Sequence, residues 1–458
     1  MSLLALDLGT TFIKGAVLDL DTLQIDHIRR LPFPEPEPGL PPLFHEFDPL
    51  VIVDAARRLL GELAAAAPDA EGLICCTQMH GLVLCDERGA PQSRFINWQD
   101  QRALTPHPAG GTFLDRLRTQ VSEDERRQLG HELQPSRPLC YLYWMAETGQ
   151  LPATPVYPVG LADFVLANLC QSTPYMEATG AGAHSAINLA TLDWHHALIE
   201  RLGLAGLQWP ALRPFGAVVG ELRLDGRTLA CYTPVGDHQC AVVGALLADD
   251  ELSLNISTGS QVSTLTAGWQ PGNYQTRPFF DGRFLNTVSG IPAGRSLNHL
   301  VNLLTELARS QHIVLADPWA YIASAAAGVT ASDLGVNLSF FDSAGGNRGS
   351  ITNIHEENLT VGHLFHAAFA SMAANYRTAA QRLAAALPWR GLVFSGGLAQ
   401  KIDVLRTLVE QQFQLPYRLS PSSEDTLLGL LALGLAATGR TATVAEATNL
   451  LRTQYETA

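Results

Sequence analysis

Three signals are missing from this sequence: an excess of basic residues, a GxxxxGK[ST] phosphate loop and a CxxC pair. The net charge of −14 argues against a nucleic-acid-binding protein, which would present a basic face. The seven cysteines are scattered, so neither a zinc site nor a disulfide framework is expected. Reduced thiols in a cytoplasmic enzyme fit this pattern best.

Long apolar runs are also missing, and the start, MSLLALDLGTT, has neither a basic segment nor a small-residue cleavage site. We therefore expect no signal peptide and no membrane partner. What is present is a globular composition, with 47% apolar and 16% charged residues. A chain of 458 residues is too long for one compact core, so two or three domains are expected.

The pattern of apolar and polar residues predicts an α/β protein with two similar halves. Residues 3–20 have the pattern of two strands joined by a turn, and residues 48–67 have helical spacing. The segment LSLNISTGSQVSTLTAG repeats the first plan of strand, polar glycine turn and strand. This similarity indicates an internal duplication with a boundary near 245–250, giving domains at 1–247 and 248–458.

The first candidate site is DLGTT, in which Gly9 permits a tight turn and is followed by Thr10 and Thr11. Their N–H and hydroxyl groups can bind phosphate oxygens, and Asp7 at the strand end can hold hydrated Mg²⁺. Lys14 follows on the next strand. The alternative is an ordinary polar hairpin.

Two further glycine-containing turns are candidates for the same nucleotide pocket. In NISTGSQ, residues Ser257, Thr258 and Gly259 offer a second phosphate loop. In FSGG, the adjacent Gly396 and Gly397 join a short apolar strand to a helical segment, so a ligand can approach the backbone there. Alone, FSGG predicts no more than a tight turn.

The segment GDHQC places Asp237 at the start of an apolar helix, where the helix dipole stabilises its ionised form. A carboxylate there can accept a proton from a substrate hydroxyl, and it can equally be an N-cap. His238 is expected to be a packed or solvent-facing side chain.

Two polar segments of the first half offer hydroxyl partners and an apolar wall for a polyol. They contain Gln78, Met79 and His80 in TQMHG, and Trp98, Asp100 and Arg102 in NWQDQR. A lone Trp or Met is more often a core residue, so the set is informative only as a group.

In this order, DLGTT, QMHG, WQDQR, GDHQ, NISTGSQ, SGG and SEDTLLG resemble the motifs of the FGGY carbohydrate kinases. The resemblance implies two ribonuclease-H-like α/β domains of the actin/hexokinase type, with ATP and a sugar bound in the cleft between them. It also implies cleft closure that excludes water.

Carried over by position, the resemblance assigns a role to each candidate. Asp7 is the residue associated with Mg²⁺, and Asp237 is the general base. The ATP-binding residues are Gly9, Thr10, Thr11, Lys14, Ser257, Thr258, Gly259, Gly396 and Gly397. The sugar-binding residues are Gln78, Met79, His80, Trp98, Asp100, Arg102 and Asp237. A homodimer is expected by resemblance alone.

Within that family, QMHG is similar to xylulokinases and sedoheptulokinases, and NWQDQR and GDHQ look closer to sedoheptulokinases. The expected substrate is a ketose, with sedoheptulose ahead of xylulose. Glycerol, another polyol or a sugar acid is the alternative. A non-catalytic ATPase of the actin or chaperone type is a remote one, since it has no need for QMHG and WQDQR.

Two segments depart from the family pattern. FFDSAGGNRGS retains Arg348 but has Asn347 where an acidic residue is usual. After SGG, this chain has Ile402 and Asp403 where the family often has an asparagine. We therefore leave both segments out of the predicted site.

Overall fold

The computed structural model describes residues 1–341 and 346–455. In the first half the elements are β1 (Ser2–Leu8), β2 (Phe12–Asp19), β3 (Gln24–Pro32), β4 (Glu46–Phe47), α1 (Pro49–Ala66), β5 (Ala70–Thr77), β6 (Val83–Cys85), β7 (Phe95–Ile96), a 3₁₀ turn (Arg102–Leu104), α2 (Phe113–Gln120), α3 (Glu123–Gln128), α4 (Pro138–Glu147), β8 (Tyr157–Val159), α5 (Leu161–Cys170), α6 (Ala178–Gly182), β9 (Ile187–Asn188), β10 (Asp193–Trp194), α7 (His196–Arg201), β11 (Val218–Leu224), β12 (Arg227–Tyr232), β13 (Val235–Gly236) and α8 (Asp237–Gly244). In the second half they are β14 (Glu251–Ile256), β15 (Ser260–Thr266), β16 (Gln275–Pro278), β17 (Phe284–Ile291), α9 (Gly294–Ser310), α10 (Pro318–Ala327), β18 (Gly335–Asn337), β19 (Ser350–Thr352), α11 (Val361–Leu383), β20 (Gly391–Ser395), α12 (Gly397–Lys401), α13 (Asp403–Phe413), β21 (Tyr417–Leu419), α14 (Asp425–Ala437) and α15 (Val444–Tyr455).

The two mixed sheets share the order of five strands, β12-β5-β1-β2-β3 in the first and β21-β20-β14-β15-β17 in the second. The first sheet runs β11-β12-β5-β1-β2-β3, with β13 beside the end of β5, and the second runs β16-β17-β15-β14-β20-β21. In each, an antiparallel hairpin (β1–β2 or β14–β15) is extended by parallel strands on the side of its first strand. The two predicted hairpins and the α/β class are confirmed, and the shared order is what an internal duplication produces.

Helices cover both faces of the first sheet. Leu4 and Leu6 of β1 point to a core with α1 and α5. Leu3 and Ala5, on the opposite face, pack in one cluster with α8, α14 and α15. This alternation is the period of two that a strand imposes. The last helices of the chain therefore complete the core of the first sheet, although they follow the predicted boundary at 247/248. That boundary stays a prediction.

Helix α8 lies between the two sheets. Its Val243 joins the cluster on the first sheet, whereas Val242 packs with Leu285 and Val393 of the second sheet. Helix α14 crosses α8 so closely that a Cβ on Gly429 would lie 2.0 Å from the carbonyl oxygen of Cys240. This close crossing carries the start of α14 to the end of β1, where the candidate site begins.

No helix in the described part of the chain is long and apolar enough to cross a bilayer. The seven cysteines all lie in that part and are free thiols.

Candidate active site

The carboxyl ends of three parallel strands bring the first candidates together. Asp7 of β1 and Val235 of β13 both pair with Cys76 of β5, so Leu8 and Gly236 flank Thr77. Two strand spacings put these flanking residues about 10 Å apart. Open α/β sheets bind ligands outside this edge. Asp7, the segment 78–80 and Asp237 therefore face one small region.

Asp7 is buried and held by the start of α14. Its Oδ2 accepts a 2.6 Å hydrogen bond from Thr426 Oγ1 and lies 3.7 Å from Lys14 Nζ. Burial raises the pKa of Asp7, while Lys14 and Thr426 act in the opposite direction. The carboxylate is therefore an incompletely compensated anion at the strand end, a suitable partner for a cation.

Lys14 is paired with acids in this structure. Its Nζ lies 3.1 Å from Glu424, which also pairs with Arg30. Burial opposes the charged form, but Asp7 and Glu424 outweigh it and raise the pKa of Lys14. The ammonium is therefore fixed at the mouth of the first loop.

The first loop is bonded to the predicted sugar-binding segments. Thr10 Oγ1 accepts a 2.9 Å hydrogen bond from the indole N–H of Trp98 and lies 3.5 Å from Gln78 Oε1. Gln78 also donates to the carbonyl oxygen of Gly9 at 3.2 Å. Thr11 is exposed at the loop tip. The first loop and the 78–80 segment are thus one hydrogen-bonded unit, with Trp98 42% exposed at its edge.

Met79 and His80 lie beside the start of α8. The sulfur of Met79 would be 3.3 Å from a Cβ on Gly236. His80 has a φ of 68°, a left-handed conformation that costs a non-glycine residue free energy and is common at functional sites. Burial lowers the pKa of His80, so its imidazole is neutral at pH 7.

Asp100 and Arg102 are not brought to the open surface. Both oxygens of Asp100 accept hydrogen bonds from Arg102, and Oδ2 also accepts from the backbone N–H of His45. Asp100 is 0% and Arg102 2% exposed, and the guanidinium lies over the rings of Phe44 and Trp144. The pair instead stabilises the loop that carries Trp98.

Asp237 begins α8 next to the carboxyl end of β13. Burial is the largest cause that raises its pKa, to about 7, and the nearby charge of Asp7 adds to it. Arg277 acts in the opposite direction. A carboxyl group with that pKa is half ionised near neutral pH, where a general base works best.

A buried ion network from both halves lies behind Asp237. Arg277 of β16 bonds Glu132 Oε1 at 2.7 Å and His238 Nδ1 at 2.7 Å. Glu132 also accepts from Arg137 at 2.6 Å and lies 3.8 Å from His80 Nε2. Burial alone would raise the pKa of Glu132, but the two guanidinium groups hold it well below its usual range. His238 is packed, as expected.

A second chain of bonds reaches the backbone before Asp237. The N–H of Gly236 donates to Thr179 Oγ1 at 3.0 Å, and Thr179 Oγ1 donates to Glu177. Thr179 is fully buried. Burial raises the pKa of Glu177 to about 7. The Glu177 carboxyl group that accepts the hydrogen bond from Thr179 therefore changes its protonation state near neutral pH.

The second loop is held by the start of α9. The carbonyl oxygens of Ser257 and Thr258 accept from the N–H groups of Gly294 and Arg295 at 3.0 and 2.8 Å. The side chains of Ser257 and Thr258 and the whole of Gly259 remain exposed. They can therefore meet a ligand.

Gly396 occupies a position that only glycine fits. Its φ is 87°, and a Cβ would lie 2.5 Å from the carbonyl oxygen of Ile256. The next residue, Gly397, has open space around it. The pair is a tight turn that also leaves one bare stretch of backbone facing outwards.

A cavity of about 550 Å³ lies between the second loop and Gly397. Ser257, Thr258 and Gly397 line it, together with Trp319 and Ile402. Its size and its mixed polar and aromatic wall suit a nucleotide. Ile402, which the predicted site omits, is thus part of the cavity wall.

The other omitted residues lie elsewhere. Asp403 pairs with Arg406 in the first turn of α13. Asn347 and Arg348 are exposed, and residues 342–345 of the same loop are outside the described part of the chain.

Residues 424–426 connect the region of the first loop to the loop at Gly396. The sequence pattern did not reveal this role. Thr426 contacts Asp7 and Glu424 contacts Lys14, whereas Asp425 accepts from Ser420 and from the backbone N–H of Gly396. Burial raises the pKa of Asp425 to about 6. Three consecutive polar residues at the start of an apolar helix were the available signal, but an ordinary helix start gives the same pattern.

Comparison with known proteins adds a family match. A profile described as "FGGY family of carbohydrate kinases, N-terminal domain" matches residues 2–244. A glycerol kinase of Shewanella halifaxensis is 26% identical over 275 residues, which cover 55% of this chain and 52% of the relative. The chain thus matches about half the length of that kinase.

A sedoheptulokinase of Mus musculus is 22% identical over 466 residues, covering 90% of this chain and 93% of the relative. Among solved structures, the gluconate kinase of Lactobacillus acidophilus superposes with a TM-score of 0.84 at 18% identity, covering 98% of this chain and 92% of the other. This similarity confirms the expected two-domain fold of the actin/hexokinase type.

Proposed function

The chain belongs to the FGGY family of carbohydrate kinases, and we propose that it transfers the γ-phosphoryl group of ATP to a primary hydroxyl of a ketose. The observation that carries this proposal is the convergence of Asp7, the 78–80 segment and Asp237 at one sheet edge. Residues 424–426 connect that edge to the loop at Gly396. A phosphoryl donor and an acceptor hydroxyl can therefore meet.

Asp237 is the proposed general base. It accepts the proton of the sugar hydroxyl as that oxygen attacks the γ-phosphorus, and ADP leaves from the opposite side. Its pKa of about 7 leaves a large ionised fraction at neutral pH and a base strong enough to assist. General-base assistance of this kind contributes about 10²–10⁴-fold to the rate.

ATP is the phosphoryl donor of this family. We propose that its phosphates contact the loop at 9–11, Lys14 and the loop at 257–259. Its adenosine part is proposed to occupy the 550 Å³ cavity beside Gly397.

Mg²⁺ fits the residues at the end of β1. No group of three ligating side chains occurs in residues 1–341 and 346–455, and Mg²⁺ usually needs only one or two carboxylates plus phosphate oxygens and water. Asp7, buried and incompletely compensated, is the residue that would hold it. When bound, the ion supplies charge neutralisation on the phosphate oxygens.

The sugar is proposed to bind against Trp98 and Met79. Three buried polar atoms nearby have no hydrogen-bond partner among the described residues: Thr77 Oγ1, His80 Nε2 and Gln239 Oε1. Buried polar atoms are normally paired, so unpaired ones are expected where a ligand or water binds. A polyhydroxylated substrate can supply both donors and acceptors there.

Among ketoses, NWQDQR and GDHQ favour sedoheptulose over xylulose. The match to the mouse sedoheptulokinase, which extends over 90% of this chain, supports the same choice. Glycerol is the second candidate, because a glycerol kinase matches 55% of this chain at 26% identity.

A coupled assay of ADP release tests the proposal. The purified full chain is given ATP, Mg²⁺ and one acceptor at a time: sedoheptulose, xylulose, ribulose, glycerol or gluconate. The highest kcat/KM is expected with sedoheptulose or xylulose. A clear preference for glycerol or gluconate contradicts the ketose assignment, and the absence of ADP release with all five contradicts the kinase proposal for these acceptors.

A further inference from the structure

Strand β16 of the second half is bound to the first half next to Asp237. It is an edge strand of the second sheet, with β17 on one side. The N–H of Thr276 donates to the carbonyl oxygen of Gly130 at 3.0 Å, and a Cβ on Gly130 would lie 2.1 Å from the carbonyl oxygen of Thr276. The carbonyl oxygen of Pro278 accepts from the side chain of Gln239, on α8, at 3.2 Å. The strand therefore reaches the start of α8 from the second half.

Arg277 is the charged side chain of this strand, and it is buried. Its Nε donates to Glu132 Oε1 at 2.7 Å, and its Nη1 lies 2.7 Å from His238 Nδ1. A guanidinium group can only donate, so Nδ1 is the acceptor and the ring proton of His238 lies on Nε2. That nitrogen lies 3.4 Å from Ser263 Oγ, also in the second half. The imidazole that follows Asp237 in the chain is thus held by the second half.

The ion cluster behind Asp237 contains more positive than negative charge. Glu132 is the carboxylate shared by Arg277 and Arg137. The imidazole of His238 is neutral, because burial and the charge of Arg277 lower its pKa. Two guanidinium groups thus share one carboxylate, and one positive charge is left uncompensated in a buried position. A positive charge of this kind favours an anion close to it.

We propose that Arg277 is a positioning residue for the general base: it holds His238, and with it the first turn of α8, and it supplies positive charge behind the Asp237 carboxylate. This inference rests on the proposed function, because it concerns the base of that reaction. The second half then contributes a side chain that acts on the base, besides the loop that faces ATP. The ionised base is best supported while β16 is bound to the first half.

Few other charges face Asp237. Asp7 of β1 is an anion that raises its pKa, and Arg277 is the cation that acts in the opposite direction. On the side of α6, Glu177 lies behind Thr179 and titrates in the same pH range. Four further titratable groups are neutral at pH 7, because burial opposes their charged forms: Cys76, His80, His238 and Cys240. Arg277 is therefore the residue whose removal should change the ionisation of Asp237 most directly.

The pH profile of kcat/KM for the sugar tests the proposal on the full chain. Loss of a neighbouring positive charge raises the pKa of a carboxyl group by about one unit or more. In Arg277→Met the rise should therefore move from near pH 7 to about pH 8, which lowers the value at pH 7 about fivefold. Arg277→Lys keeps the charge and should keep the rise near pH 7. Arg227→Met, which removes an arginine bonded to carbonyl oxygens at the end of α1, should behave as wild type.

A second readout needs no turnover. The difference in thermal midpoint between a parent and its Asp237→Asn form reports the ionisation of Asp237. Its pKa in the folded chain lies above the value of about 4 in the unfolded chain, so the wild-type parent should lose stability relative to Asp237→Asn between about pH 4 and 7. In the Arg277→Met background this loss should continue to about pH 8. The titration of Glu177 cancels, because Glu177 is present in both members of each pair.

Two variants of His238 test the contact itself, and they decide the case if Arg277→Met does not fold. His238→Leu removes the acceptor of Arg277 and should lower kcat about 10-fold with the KM for ATP unchanged. His238→Asn, whose side-chain oxygen can replace Nδ1 as the acceptor, should retain most of the rate. Circular dichroism establishes that each variant is folded.

Three results would overturn the inference alone. They are a kinetic rise or a stability difference that still ends near pH 7 in Arg277→Met, a shift in Arg277→Lys as large as in Arg277→Met, and equal rates for His238→Leu and wild type. Full turnover of Asp237→Asn would instead remove the proposed general base, and this inference with it. Failure of the inference and failure of the proposed function are therefore told apart by Asp237→Asn.

Discussion

Thr426 Oγ1 donates a 2.6 Å hydrogen bond to Asp7 Oδ2, across 419 positions of sequence. This bond ties the last third of the chain to the end of the first strand. The apolar residues of α14, which follows the predicted boundary, pack against the first sheet next to this bond.

Thr426→Val should lower kcat, because the carboxylate of Asp7 loses a fixed orientation. A hydrogen bond to a charged group contributes about 1.5–3 kcal/mol, which corresponds to about a 10- to 100-fold loss. Thr426→Ser, which keeps the hydroxyl, should retain most of the rate. Thr438→Val, which removes a hydroxyl that bonds only within the same helix region, is the control. Equal rates for Thr426→Val and wild type would contradict the role of this bond.

Trp98→Phe tests the link between the sugar-binding segment and the first loop. A smaller aromatic ring remains at the position, but the 2.9 Å bond from the indole N–H to Thr10 is lost. We expect the KM for ATP to rise about fivefold, the effect of one net hydrogen bond of about 1 kcal/mol, with little change in the KM for the sugar. Trp209→Phe removes an indole bond elsewhere and should change neither constant. If only the KM for the sugar changes, Trp98 acts on the substrate alone.

Thr179 positions the backbone before Asp237 in this account. Thr179→Val should lower kcat by about fivefold through loss of the bond to the Gly236 N–H, with the KM for ATP unchanged. Thr179→Ser should restore the rate. A merely structural role predicts loss of folding in the valine variant, and a lower thermal midpoint without a change in kcat would refute the positioning role.

How much of the site could be predicted depended on how far apart in the sequence the contacting residues are. The loops at 9–11 and 257–259 were predicted because a strand, a glycine turn and a strand are local patterns. Lys14 and Glu424, by contrast, are 410 positions apart, and no local pattern connects them. Such pairs follow from the crossing of α8 and α14, which only the folded chain defines.

Asp100 and Arg102 are close in the sequence, but their burial could not be predicted from it. Charged residues in a loop near a candidate pocket predict surface contacts, yet these two pair with each other in a buried position. Their mutual spacing of two residues allowed this pairing, but burial by Phe44 and Trp144 was not visible in the sequence.

Asp163 gives a prediction about stability rather than turnover. Burial raises its pKa to about 8, and its Oδ1 has no hydrogen-bond partner among the described residues. The unfolded chain ionises near pH 4, so between about pH 4 and 8 the folded state binds more protons and stability falls as the pH rises. Asp163→Asn removes the ionisable group and therefore this loss of stability.

The thermal midpoint of Asp163→Asn should therefore equal that of wild type near pH 4 and exceed it increasingly up to about pH 8. Asp54→Asn, at an exposed position of α1, serves as the control and should show no such trend. A midpoint difference that stays constant with pH would show that Asp163 is not protonated in the folded state.

The most direct measurement of the central claim is the pH profile of kcat/KM for the sugar in wild type and Asp237→Asn. A base must be ionised, so the wild-type value should rise as the pH increases through about 7 and then level off. Asp237→Asn should fall by at least about 10²-fold above that pH and keep its affinity for ATP. Asp249→Asn, whose side chain is 80% exposed beyond the other end of α8, should behave as wild type. Turnover of Asp237→Asn at the wild-type level, or a wild-type profile without a rise near pH 7, would contradict the account.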